Sequence, residues 1–226
     1  MRYMFGGAAR VPMVIRSPAG SGTGAAAQHS QSVEAWFAHV PGLKVVIPGT
    51  PYDAKGLLTA AIRDDNPVVF LEQKLLYRTA GPVPAEPYEI PLGTADIKRP
   101  GSDVTLVTYG RLLPTCLSVA DELAAGGGPD VEVIDVRTLR PLDNGLIVDS
   151  AARTGRVLIV HEAVQFGGFG AEIAAMIADS EAFFYLDAPI RRLGGVDAPI
   201  PYCPELEREA VPTAARIRLA LDEMVR

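Results

Sequence analysis

Between residues 20 and 32 the chain reads GSGTGAAAQHSQS, and here flexible backbone and proton-carrying side chains coincide. Glycines at positions 20, 22 and 24 let the chain turn through conformations closed to other residues and let another group approach the backbone closely. Gln28, His29, Ser30 and Gln31 follow at once. An imidazole both takes and gives a proton near neutrality, so His29 is the first candidate for acid–base work. Two other readings fit the same residues. Gly20, Gly22 and Ala25 satisfy G-x-G-x-x-A, a dinucleotide fingerprint, but the next strand ends in Pro48-Gly49-Thr50 without the acidic residue that holds a ribose. The blander reading is a flexible loop whose histidine caps or fills space.

Three more places carry residues with chemistry. Gly167, Gly168 and Gly170 precede a helix, where free N–H groups could hold an anion, yet Phe166 and Phe169 share the run and no cation does; a packing turn is the simpler reading. His161 and Glu162 end a strand and could line a cleft or an interface, although strand-end polar groups commonly only satisfy hydrogen bonds. The turn AAIRDDNP ends a helix and leaves carbonyl groups unpaired beside Asp64 and Asn66. A polar cap explains it, and so does a hard cation such as potassium.

The elements that must position these residues are legible as alternating periods. Strands are expected at 11–16, 43–47 and 68–71, with helices at 32–40 and 53–62 between them, which is the βαβ alternation of a parallel sheet covered on both faces. The proline-rich region 73–91 reads as a crossing to a second unit, with 81–91 the linker proper. That unit begins at 92–98 and continues with strands at 104–108, 131–136, 157–161 and 190–193 and helices at 113–124, 143–152, 170–179 and 214–224. Residues 197–202, DAPIPY, are too rich in proline for regular structure. The fold class is therefore α/β, with an incomplete first domain and a complete second one.

At 226 residues the chain is long enough for one to two domains, and 48% hydrophobic with 21% charged residues is ordinary for a globular protein. A net charge of −6 without a basic stripe argues against nucleic acid or an anionic membrane as the main partner. Cys116 and Cys203 are too few for a disulfide framework and lack metal-site spacing, so a reducing, cytoplasmic setting is expected. No apolar run reaches the roughly 18–20 residues of a membrane helix, and the N-terminus carries no signal-peptide pattern.

The run GAAAQHSQSVEAWFAHVPGLKVVIPGTPYDAKGLL, followed by AAIRDDNPVVFLEQKLLYR, resembles the beta subunit of the decarboxylating component of 2-oxoacid dehydrogenase complexes, of the pyruvate and acetoin dehydrogenase types. These enzymes belong to the transketolase-like superfamily, and the resemblance extends over essentially the whole chain. It implies the C-terminal part of a pyrimidine-binding domain at 1–80, the linker 81–91, and a transketolase C-terminal-like domain at 92–226. It also implies thiamine diphosphate with magnesium, bound between this subunit and an alpha subunit in an alpha2-beta2 heterotetramer, and delivery of an acyl group to a lipoyl-bearing acyltransferase. The histidine matching His29 manages protons during acyl transfer, and a structural monovalent cation, potassium, is held at positions matching Ala61, Ile62, Asp64 and Asn66. The glutamate that activates the aminopyrimidine in such enzymes has no counterpart, since no glutamate precedes Glu34 and Glu34 lies in a helix after the loop. The expectation is a catalytic subunit lacking an N-terminal segment and inactive by itself. Its rival is an assembly module that performs no chemistry. Pyruvate is the first substrate expected, acetoin the second and branched-chain 2-oxoacids the third.

Overall fold

The computed structural model describes residues 2–225 and contains two sheets. The first has the order β1-β3-β2-β7, from β1 (Val14–Ala19), β2 (Lys44–Val46), β3 (Val68–Gln73) and β7 (Thr138–Arg140). The second has the order β4-β6-β5-β8-β9, from β4 (Asp96–Arg99), β5 (Val104–Thr108), β6 (Val131–Asp135), β8 (Val157–Val164) and β9 (Arg191–Gly195). Eight α-helices are described: α1 (Ala26–His29), α2 (Glu34–Ala38), α3 (Pro51–Arg63), α4 (Leu112–Ala125), α5 (Asn144–Thr154), α6 (Gly170–Ala178), α7 (Pro204–Glu209) and α8 (Ala214–Met224).

The interior strands β5 and β6, rich in valine, are buried along their whole length and pair in parallel at the centre of the second sheet. Two of their polar members are paired internally: Thr105 reaches the hydroxyls of Ser150 and Thr154 at 2.6 and 2.8 Å, and Glu132 accepts from Arg153 at 2.7 Å. By contrast β1 is an edge strand bonded only to β3, with Ile15 exposed on it and Met13 exposed just before it.

Two elements were not foreseen from sequence. Residues 138–140, assigned to no strand from sequence, pair antiparallel with β2, so a strand from the second unit completes the first sheet. Proline-rich 197–202 is irregular, but it leads directly into α7, which the sequence reading omitted. Residues 81–91 pack against α3. Their carbonyls at Pro84, Ala85 and Glu86 accept from the Lys55 ammonium, Tyr88 stacks on Tyr52 at 4.6 Å, and Ile90 is buried against α3.

One core joins the sheets. Val45, Val69 and Leu71 of the first, with Ile47 after β2, pack with Val107 and Ile159 of the second, with Tyr109 after β5 and with Ile173 of α6. A buried ion-pair cluster lies at the same junction. Asp53 of α3 accepts from Lys98 of β4 at 2.7 Å and from Arg137 at 3.0 Å. Burial raises the Asp53 carboxyl, but Lys98, Thr50 and Arg137 outweigh it and hold its pKa below the ordinary value. Neighbouring Asp135 is pushed up to about 8, by burial first and the charge of Asp53 second, with Lys98 and Arg137 opposing.

Candidate functional site

Beyond Ala19 the chain enters the glycine loop, closed by the Gly20 N–H donating to the Gln31 carbonyl at 3.0 Å. Gly20, Gly22 and Gly24 have φ of +83°, +98° and +64°, the left-handed region where a side chain is costly, so these positions require glycine. Ala26, at the start of α1, also has a positive φ of 54°, an uncommon conformation that the surroundings must hold in place.

What holds the glycine loop are two buried carboxylates from the second unit. Glu162, in β8, accepts from the Ser21 N–H at 2.5 Å and from the Ser21 hydroxyl at 2.8 Å. Glu207, in α7, accepts from the Gly22 N–H at 2.7 Å through one oxygen and from the Gly24 N–H at 2.9 Å through the other. Arg111 braces the first of these, donating from Nε to Glu162 and from Nη2 to the Ser21 hydroxyl at 3.0 Å. Gln73, at the end of β3, donates to Glu162 at 3.3 Å and accepts from the Arg111 N–H. The loop's donors are thus already given to carboxylates, and a dinucleotide fingerprint, which needs them free for a pyrophosphate, is overturned.

His29 closes α1, and its residue is exposed, while its carbonyl accepts from the Lys74 ammonium in the 3-10 turn Lys74–Arg78. The hydroxyls of Ser30 and Ser32 are buried without a hydrogen-bond partner. Beside them lies a cavity of about 360 Å³ between the units, lined by Ala27, Ser30, Trp36, Glu162, Val196 and Ile200 among others.

Glu34 is not on a solvated helix face. It is buried and accepts from the Tyr109 hydroxyl at 3.0 Å. Burial lifts its carboxyl to about 7 against the opposing pull of its own backbone and of Tyr109. Tyr109 stacks parallel to His161, with ring centres 6.2 Å apart.

His161 is fully buried, and neither ring nitrogen has a hydrogen-bond partner, so it does not satisfy its strand end as expected. Burial lowers its pKa to about 4, leaving the ring neutral. A Cβ on Gly168 or Gly170 would lie 2.5 Å from a carbon of this ring, so these glycines make room for His161. Glu162, one residue on, belongs to the interface with the loop. No sequence signal marked Glu207, Arg111 or Gln73, because their partners are backbone groups or side chains far away in the chain.

In the turn at 61–66 the Asp64 N–H donates to the Ala61 carbonyl at 3.3 Å. Asp64 accepts from the Lys44 ammonium through one oxygen and, through the other, from the backbone and side-chain amides of Asn66, both at 2.8 Å. Burial raises this carboxyl, but Lys44 and Asn66 together hold it below its ordinary pKa. Ala61 is buried and Ile62 exposed on the last turn of α3.

Residues 93–217 match the transketolase C-terminal domain and residues 1–80 the transketolase pyrimidine-binding domain. Among similar proteins is the beta subunit of acetoin:2,6-dichlorophenolindophenol oxidoreductase of Bacillus subtilis, 48% identical over 96% of this chain and 63% of the relative. The 2-oxoisovalerate dehydrogenase subunit beta of the same organism is 46% identical over 94% of this chain and 65% of the relative. The pyruvate dehydrogenase E1 component subunit beta of Rhizobium meliloti is 47% identical over 95% of this chain and 46% of the relative. The chain therefore spans less than two thirds of the length of these relatives. A split-gene transketolase, solved as an inactive beta4 tetramer, has the same fold, with a TM-score of 0.77 at 23% identity over 96% of this chain and 67% of the other. With both matched segments in order and one continuous core beneath them, the chain belongs to the transketolase family, as part of a pyrimidine-binding domain followed by the C-terminal domain.

Proposed function

We propose that this chain is the beta-subunit portion of a thiamine-diphosphate-dependent decarboxylating component. It acts with an alpha subunit, in an alpha2-beta2 arrangement, to transfer an acyl group from a 2-oxoacid to a lipoyl-bearing acyltransferase. Its units are the pyrimidine-binding part at 1–80, the linker 81–91 and the C-terminal domain at 92–226. Pyruvate is the first substrate and acetoin the alternative; the setting is cytoplasmic, and no helix among the described residues is long and apolar enough to cross a membrane. The observation that carries this reading is His29, exposed at the end of a short helix whose preceding loop is fixed by both units.

The described residues suit thiamine diphosphate in part. An exposed imidazole beside two unpartnered serine hydroxyls suits a heterocycle that exchanges protons. A glycine loop whose donors are spent on Glu162 and Glu207 does not suit a diphosphate, and the described residues hold no group of three or more His, Cys, Asp or Glu for magnesium. Thiamine diphosphate with magnesium is proposed to be shared with the alpha subunit. When bound, the cofactor supplies the electron sink for decarboxylation. His29 would manage protons during the transfer, in which the lipoyl S–S bond breaks as the acyl–sulfur bond forms and the released sulfur takes up a proton.

The test is His29→Ala in a complete beta subunit reconstituted with its alpha partner. Acyl transfer to a lipoyl domain should fall by roughly 10²–10⁴-fold while the cofactor still binds; unchanged transfer removes His29 from the mechanism. The turn of Ala61, Ile62, Asp64 and Asn66 is proposed as the monovalent-cation site, supported by its hard oxygens at a helix C-terminus, with the Lys44 ammonium as the competing charge on Asp64. Potassium should raise the melting temperature relative to tetramethylammonium, and Asp64→Ala should abolish the difference. Identical melting of the wild type in both salts leaves Lys44 and Asn66 as a plain cap.

A further inference from the structure

We propose that Glu207, seconded by Glu162, is a positioning residue for His29: a carboxylate clamp by which the C-terminal domain fixes the direction of the imidazole. This rests on the role given to His29 above. Glu207 is buried, and among the described residues it has no ion-pair partner; its oxygens go one each to the N–H groups of Gly22 and Gly24. A buried carboxylate without a cation is costly unless charge-assisted bonds satisfy it, and here the loop backbone supplies them.

The loop in turn needs the carboxylates. Three glycines with positive φ within five residues have no regular structure to hold them, and ordering each such residue costs conformational freedom that anchors must offset. The anchors come from the second unit, through Glu162 in β8, Arg111 ahead of α4 and Glu207 in α7. Two residues after the last anchored N–H comes Ala26 with its left-handed backbone, and three residues after that comes His29. On the far side the His29 carbonyl is tied to Lys74. The short helix α1 is therefore suspended between Lys74 of the first unit and the two carboxylates of the second. Releasing Gly22 and Gly24 frees the end of α1 that Lys74 does not hold.

The experiment combines amide hydrogen exchange on the purified chain with kinetics of the complete subunit reconstituted with alpha. In Glu207→Ala the Gly22 and Gly24 amides should exchange roughly ten- to hundredfold faster, whereas the exposed control Glu209→Gln should leave them protected. Glu207→Gln, which keeps one acceptor and turns the other into a donor, should release only one of the two amides and serves should the alanine variant not fold. In the assembly, Glu207→Ala should lower kcat for transfer to a lipoyl domain at least tenfold with little change in substrate KM. The variant combined with His29→Ala should lose little beyond His29→Ala alone. Unchanged exchange at Gly22 and Gly24 overturns the clamp. Faster exchange with unchanged transfer, where His29→Ala is itself impaired, overturns the positioning role. Additive losses in the double variant do so as well. Faster exchange where His29→Ala transfers normally upholds the clamp on the loop and refutes the function assigned to His29.

Discussion

Residue by residue, the chain spends its unusual side chains on one another. Gly170 makes room for the ring of His161, and Gly168 for that ring and the Val164 carbonyl; neither has the positive φ that would require glycine on its own account. Gly170→Ala should therefore destabilise by about 1–3 kcal/mol through overpacking. In chemical denaturation the double variant His161→Ala/Gly170→Ala should recover part of that loss. An additive double variant would place the strain elsewhere. These pairings mark the limit of what the sequence shows. The glycine turn at 167–170 was readable as a packing turn, but its partner was not, since a neutral histidine filling space looks the same in sequence as one poised for chemistry. The loop that carries His29 was readable because it is contiguous. Glu162 was singled out only as a strand-end group that could line a cleft or an interface and Glu207 not at all, because the loop N–H groups they accept from lie 141, 185 and 183 residues away.

Whole elements were readable where a local period sets them. Helix α3 was expected from residue 53 and begins at Pro51: the Thr50 hydroxyl accepts from the Asp53 N–H at 3.1 Å as a cap while Pro51 takes the first helical position. Strand β7 could not be seen, because three residues carry no period and its place depends on β2, over ninety positions earlier. What fixes α3 against the second sheet is the bond from Asp53 to Lys98 and Arg137. Removing one partner of a buried pair costs about 3–5 kcal/mol, so Arg137→Met should lose much of that, less the share Lys98 retains. Adding Asp53→Asn should restore part of the loss by removing the stranded charge. If Arg137→Met melts with the wild type in urea, the cluster contributes nothing net to the junction.

For the molecule as a whole, these buried groups set a pH dependence opposite to that of a protein stabilised by salt-bridged carboxylates. Glu34 titrates near 7 and Asp135 near 8 in the folded chain, against ordinary values of 4.5 and 3.8, so the folded state keeps two protons that the unfolded chain has lost. Stability therefore falls as pH rises through these windows, up to about 7 for Glu34 and about 8 for Asp135. His161, near 4 when folded and 6.5 when unfolded, acts in the opposite sense, but only between those values. Asp53 and Asp64, both held low, contribute stability that is lost only as pH drops below about 4. From pH 6.5 to 8 the two raised carboxyls act unopposed, and at about 1.4 kcal/mol per pH unit their combined loss over that interval is about 2–3 kcal/mol. Urea denaturation should thus find the chain more stable at pH 6.5 than at pH 8. Glu34→Gln should remove the part of the slope below 7 and Asp135→Asn the part that persists to 8. A wild-type profile that is flat or rising across this interval would mean that both carboxyls are ionised in the fold, with Tyr109 and Arg137 satisfying them as anions.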